Sequence, residues 1–141
     1  MNGVLRTKLI ETALEYQNRS YSPYSHYRVG AALLCENGTI YGGCNIENAS
    51  YGMTNCGERT AIFKAVSEGE KDFVAIAIVG RKDGDEGASF PDFAYPCGAC
   101  RQVMKEFCGD DFKIIIAKDV NDYEEYTLAQ LLPHGFGGMS E

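Results

Sequence analysis

The sequence predicts an α/β fold, with helices layered on a mixed sheet, and three observations carry that expectation. Two nearly continuous apolar runs, "FVAIAIVG" and "FKIIIAK", have the pattern of strands buried on both faces. A helix-like stretch begins between them, within "PCGACRQVMKEF", as the connection of two such strands requires. Upstream, "YRVGAALLCENGTIYGGCNI" reads as a hairpin, which starts the sheet with an antiparallel pair.

In chain order, the first element is an amphipathic helix from Val4 to Tyr16. Leu5, Leu9, Ala13 and Tyr16 recur at intervals of three and four, with Ile10 and Leu14 beside them. The hairpin turns at Asn37-Gly38, two residues that tolerate positive φ. A second helix carries apolar pairs four apart between Ala61 and Val66 and is closed by Gly69, which puts Cys56 and Glu58 in its first turn. The two buried strands follow, with the third helix between them. Residues 81–95, "RKDGDEGASFPDFAY", are rich in Gly, Pro and Asp and read as a long exposed loop. A short helix in "YTLAQLLP" ends the order, its start marked by Thr127 and Gln130 in a capping-box pattern. With no internal repeat, low-complexity segment or second domain, residues 1–141 are expected to form one domain with one site.

A chain of 141 residues with 45% hydrophobic content buries a core without help from disulfides. Its six cysteines therefore need another account. No secretion signal is visible, and Cys35 and Cys44 in strand-like sequence and Cys108 at the end of a helix-like one read as reduced core thiols. A formal net charge of -7 repels a phosphate backbone, so polymeric nucleic acid is not an expected partner. The longest apolar stretch falls far short of the ~20 residues that span a bilayer. The expected setting is cytoplasmic, without a membrane partner.

The other three cysteines, Cys56, Cys97 and Cys100, fall with Glu58 at predicted helix starts. Unpaired N–H groups and the helix dipole favour thiolate there, and thiolate is the form that binds zinc. Three protein ligands are the count of a catalytic zinc, whose fourth position takes water. Two helices packed side by side on one sheet would bring these starts together. Zinc alone is only a Lewis acid; Glu58 can take a proton from water and hand it to a leaving group. Three thiolates also leave the cluster negative, which a nearby cation would offset. Arg59 is expected to hydrogen-bond a zinc-ligating sulfur in that outer-shell role, the plainer alternative being a surface salt bridge.

"CGERT" together with "PCGACRQ" resembles the zinc deaminase signature, an H/C-x-E element followed by P-C-x-x-C. More widely, "PYSHYRVGAALL", "GCNIENASYGMTNCGERTAIFKAVSEG" and "LLPHGF" are similar to the small, three-cysteine cytidine deaminases of pyrimidine salvage, over nearly the whole chain. The resemblance implies a three-layer α/β/α sandwich with a mixed sheet of about five strands. It implies one zinc per chain, held by Cys56, Cys97 and Cys100, at which water is activated to attack carbon 4 of cytosine. Ammonia then leaves, giving uridine from cytidine or 2′-deoxyuridine from 2′-deoxycytidine. Glu58 would carry the proton from water to ring nitrogen 3 and then to the leaving amine. Asn45 and Glu47 match positions that bind the sugar hydroxyl, an amide and a carboxylate that together donate and accept. Tyr27 stands where phenylalanine is usual, near the base. Gly57 replaces a more usual alanine and keeps an N–H for the base carbonyl. Phe136 matches an aromatic contributed by a neighbouring subunit, which implies a homotetramer with shared sites.

Other readings of the same residues stay open from sequence alone. "PCGAC" is also the C-x-x-C of a thioredoxin-like redox site, though that leaves Cys56 and Glu58 without a role. A structural zinc closed by Cys44, His26 or His134 is another. Within the deaminases, the substrate could be a nucleoside antibiotic such as blasticidin S, a nucleotide or a polymer. Arg28, beside Tyr27, is the cation to watch for a phosphate.

Overall fold

The computed structural model describes residues 1–83 and 93–138. Its helices are α1 (Gly3–Gln17), α2 (Gly57–Ser67), α3 (Gly98–Phe107) and α4 (Leu128–Leu131). Its strands are β1 (Tyr27–Cys35), β2 (Ile40–Cys44), β3 (Phe73–Lys82), β4 (Lys113–Asp119) and β5 (Asp122–Thr127). The strands form one sheet in the order β2-β1-β3-β4-β5, in which only β3 and β4 are parallel neighbours. The mixed sheet is therefore as expected. Most of the loop at 81–95, namely 84–92, lies outside the described residues.

Each face of the sheet has its own helical layer. On one face, Leu9, Ile10 and Ala13 of α1 pack on Ala32, Leu34, Ala75, Ala77, Val79 and Ile115. On the other, Ala61, Ile62 and Ala65 of α2 and Cys100 and Met104 of α3 cover Ala31, Leu33, Ile76, Ile78, Ile114 and Ile116. Successive strand residues point to opposite faces, which is why the covered stretches of β3 and β4, residues 75–79 and 114–117, are apolar at every position. Ile114, Ile115 and Ile116 are all fully buried, each worth about 2 kcal/mol of apolar transfer. The layers are those of an α/β/α sandwich.

Local signals set most of the boundaries. Asn2 caps α1 by accepting from Leu5 N at 2.8 Å. Thr127 and Gln130 form both bonds of the capping box that opens α4. Gly69, with φ +93°, ends α2 in the left-handed region.

Two details go beyond what the apolar pattern and the turn residues indicate. At the β1–β2 turn only Gly38 takes positive φ (+92°), while Asn37 instead accepts from Thr39 N at 3.0 Å through its side chain. Gly38 N bonds Cys35 O and Cys35 N bonds Thr39 O, so the connection is a type I turn followed by a left-handed glycine. The second is β5, the fifth strand that the resemblance implies but that the pattern of apolar residues does not mark. It is a polar edge strand, "DYEEYT", paired with β4 from Lys113↔Thr127 to Asp119↔Asp122.

Candidate active site

Chain connectivity brings the two cysteine-bearing helix starts to the same edge of the sheet. β1 is antiparallel to both β2 and β3, so β2, β3 and β4 all point the same way. α2 joins β2 to β3, and α3 joins β3 to β4, on the same face of the sheet. Both helices therefore start beyond the carboxyl ends of parallel strands, where α/β sheets open clefts. Gly43 lets α2 come close. A Cβ there would lie 2.5 Å from Ala61 N and 2.6 Å from Gly57 O.

Cys56 is the N-cap of α2, Cys97 the N-cap of α3, and Cys100 sits in the first turn of α3. Their sulfurs lie within 4.8 Å of one another, and they are the one such cluster of metal-ligating side chains among the described residues. Cys56 Sγ is 3.8 Å from Cys97 Sγ, and Cys97 Sγ is 3.4 Å from Cys100 Sγ. Zinc–sulfur bonds of about 2.3 Å at tetrahedral angles place ligating sulfurs about 3.8 Å apart, so the trio fits zinc. A disulfide would need about 2.05 Å, and all six cysteines are free. The fourth ligands of a closed structural site are occupied elsewhere: Cys44 Sγ faces Arg19 O at 3.4 Å, His26 faces Asp83 and His134 is exposed. Three sulfurs leave one tetrahedral position to a ligand from outside the chain.

The electrostatics support thiolate at the centre of the cluster. Cys56 is held down at about 5, first by a hydrogen bond from Cys100 and then, against its burial, by the Arg59 guanidinium. Arg59 Nη2 donates to Cys56 Sγ at 3.3 Å, which is the contact expected for it in place of a surface ion pair. Cys100 is pushed the other way, as the donor to Cys56 and by its burial. Glu58 is 4% exposed, and its carboxyl faces Cys100. Burial raises it to about 7, with the Cys56 charge adding to the rise.

Beside this cluster, a short bridge holds the segment Asn45 to Glu47. Ile46 pairs with Tyr21 on one side and with Asn55, next to Cys56, on the other. Asn45 is buried and clamps β1: Oδ1 accepts from Val29 N at 2.9 Å and from the Ser20 hydroxyl, while Nδ2 donates to Tyr27 O at 2.9 Å. Glu47, also buried, accepts from Tyr24 N and Ser25 N at 3.0 Å each and from the Ser25 hydroxyl. Burial alone would raise its pKa, but these donors bring it below the usual carboxylate range. Gly57 opens α2 against Val29 and Asn45 N. The Tyr27 ring lies over Gly80, where any Cβ would strike it, on the α2 side of the sheet.

Two expected residues stand apart from the cluster within the chain. Phe136 is 79% exposed, its segment tied to α3 by Gln102 Nε2 donating to Phe136 O at 3.0 Å. Arg28 is ion-paired with Asp83. Sequence reasoning missed the supports: Ser20 and Ser25 behind Asn45 and Glu47, and Arg101, which donates to Pro96 O and Leu131 O and so fixes the chain on both sides of α3. The "SYSPYS" run of hydroxyls before β1 was the available signal for the serines.

Comparison with known proteins agrees with this geometry. Residues 5–116 match the model of the cytidine and deoxycytidylate deaminase zinc-binding region. A cytidine deaminase of Sporosarcina psychrophila is 50% identical over 92% of this chain and 89% of its own length. One of Halalkalibacterium halodurans is 50% identical over 93% of each. The crystal structure of cytidine deaminase from Burkholderia pseudomallei superposes with a TM-score of 0.80 at 41% identity, covering 92% of this chain and 97% of that one. A mixed five-stranded sheet, a zinc-shaped trio of sulfurs at two helix starts, and matches across most of the sequence lead to one conclusion: the chain belongs to the zinc-dependent cytidine and deoxycytidylate deaminase family.

Proposed function

We propose that the protein hydrolyses cytidine and 2′-deoxycytidine to uridine and 2′-deoxyuridine, taking up one water and releasing one ammonia. The observation that carries this reading is the convergence of Cys56, Cys97 and Cys100 on one ion-sized space beside the buried Glu58. Zinc, when held by the three thiolates, supplies the Lewis acidity that makes water nucleophilic near neutral pH. Glu58 is the general base and acid. It takes a proton from the attacking water and delivers it to ring nitrogen 3, then takes the remaining proton from the new hydroxyl on carbon 4 and delivers it to the departing 4-amino group. A carboxyl raised to about 7 by burial is suited to both directions of transfer. Arg59 offsets the charge of the sulfurs through its hydrogen bond to Cys56.

The remaining residues place the nucleoside. Asn45 has one amide N–H outside its clamp on β1, and Glu47 has one lone pair beyond its three donors, a donor and an acceptor for a sugar hydroxyl. Tyr27 supplies the aromatic wall of the base. The Gly57 N–H, in the first turn of α2 and without an intrahelical partner, is available to the base carbonyl. Phe136 completes the pocket of a neighbouring subunit, so the working unit is a homotetramer of single-domain chains (1–141) acting in cytoplasmic pyrimidine salvage. No helix among the described residues is long and apolar enough to cross a membrane. Polymers and free nucleotides fit poorly, since the net charge is -7 and Arg28 is engaged with Asp83.

The test is ammonia release, or the matching ultraviolet change, when cytidine is added to zinc-loaded protein. Rapid release is expected from the parent. Glu58→Ala should keep one zinc per chain and lose at least about a hundredfold to ten-thousandfold in turnover. Silence from the zinc-loaded parent, or near-parental rates from Glu58→Ala, would refute the reading.

A further inference from the structure

Glu47 is a buried carboxylate held by an unusual concentration of donors. A carboxylate has about four lone-pair positions. Oε1 receives the backbone N–H groups of Tyr24 and Ser25, both at 3.0 Å, and is full. Oε2 receives the Ser25 hydroxyl, which leaves it a single free position. The Ser25 hydroxyl has one proton, spent on Glu47, and its oxygen in turn accepts from Tyr27 N at 3.0 Å. One short side chain thus joins the carboxylate to the first residue of β1, whose ring is the proposed aromatic wall of the base. We propose that Ser25 is a positioning residue for substrate: it aims the last lone pair of Glu47 at a sugar hydroxyl and fixes the distance between that carboxylate and the Tyr27 wall. The inference rests on the reading of Glu47 as a sugar-binding group.

A donor to a charged acceptor is worth more than one between neutral groups, because the ionised partner holds its proton donor more strongly. Losing it frees Oε2 to rotate and lets Glu47 turn away from the sugar. The chemistry at carbon 4 depends on zinc and Glu58, which Ser25 does not touch, so the effect belongs to binding. Ser25 is exposed, and truncating it opens no core cavity.

The experiment compares zinc-loaded parent, Ser25→Ala, Ser25→Thr and Glu47→Gln on cytidine and on three analogues, each lacking one sugar hydroxyl. Steady-state kinetics are paired with the affinity for uridine by calorimetry. Ser25→Ala should raise the KM for cytidine and the Kd for uridine at least about tenfold, with kcat within about threefold of the parent. It should also lose the parent's discrimination against the analogue that lacks the hydroxyl Glu47 binds. Ser25→Thr, which keeps the hydroxyl, should restore all three. A pH readout separates positioning from general loosening. The Ser25 hydroxyl and N–H groups hold Glu47 low, with His26 adding a smaller attraction, so the sugar contact is present above that low pKa and lost as pH falls through it. Without the hydroxyl the pKa rises, and sugar discrimination should begin to fail at a higher pH than in the parent. If Ser25→Ala keeps parental KM, uridine affinity and discrimination while Glu47→Gln loses discrimination, the role of Ser25 is refuted and that of Glu47 stands. If Glu47→Gln keeps discrimination too, the sugar reading itself falls. A threonine variant as impaired as alanine would also overturn the proposal.

Discussion

Cysteine is one residue type doing two jobs in this chain, and its position decides which. Burial pushes Cys35 up to about 11 and Cys108 up to about 12, and it raises Cys44 as well. These thiols are inert core hydrophobes. Cys56 and Cys97 cap helices and are open to solvent in part or in full, while Cys100 is completely buried. With zinc removed by a chelator in the native state, a thiol reagent near neutral pH should therefore label Cys56 and Cys97 quickly. Cys35, Cys44, Cys100 and Cys108 should react only as the protein opens. Restoring zinc should silence the fast pair. Mass mapping of the labelled peptides checks this, and fast labelling of Cys35 or Cys108 in the chelated native protein would contradict the assignment. The chemistry at this scale was legible because zinc ligation needs particular residue types at particular spacings, and "CGE" and "PCGAC" display them. Arg101 was not, because its partners are the carbonyls of Pro96 and Leu131, brought near by tertiary structure; nor was Ser25, because nothing in its hydroxyl-rich run ties it to the Glu47 carboxylate that it bonds in the fold.

Among the elements, α2 bears the tightest geometric demand. Its first turn carries Cys56 and Glu58, and it sits on β2 at Gly43 with no room for a methyl group. Gly43→Ala should push the start of α2 away, costing about 1–3 kcal/mol of stability and much of the turnover of the molecules that remain folded. Gly38→Ala is the contrasting change. It strains a left-handed turn by about 1–2 kcal/mol, yet a Cβ there meets nothing, and turnover per folded molecule should stay near the parent's. Thermal unfolding with zinc content and kcat on each variant distinguishes the two; equal loss of turnover in both would sink the argument. The helices, the hairpin and the two buried strands were readable because periodicity, caps and glycines each point the same way. β5 was not, since an edge strand with one face in water needs little apolar alternation. It is held instead by the β4 ladder, by Tyr126 on the core, and by Arg6 of α1, which pairs with Glu125 at 3.3 Å and lies over the Tyr123 ring.

At the scale of the whole molecule, a chain of net charge -7 carries an apolar surface next to its site. Tyr51 is 64% exposed and Met53 70%, both in the short turn Tyr51–Met53, with other exposed apolar residues nearby. Tyr24 and Tyr51 meet edge to face at 5.9 Å, while exposed Tyr21 bridges to exposed Ile46, which bridges to Asn55 beside Cys56. Single exposed apolar residues are ordinary on a surface, but several on neighbouring segments suit a contact between chains. The proposed homotetramer would cover them. Sedimentation should give four chains per particle for the zinc-loaded parent. The pair of changes Tyr51→Glu and Met53→Glu would place carboxylates in every copy of such a contact, where desolvating an unpaired charge is costly. The variant should sediment as smaller species and lose activity, even though neither residue is a zinc ligand and both are exposed in the single chain. Zinc binding should survive, because the three sulfurs come from one chain. A parent that sediments as a monomer with full turnover would leave this patch and Phe136 without the role proposed for them. A double variant that stays tetrameric would move the contact to another face.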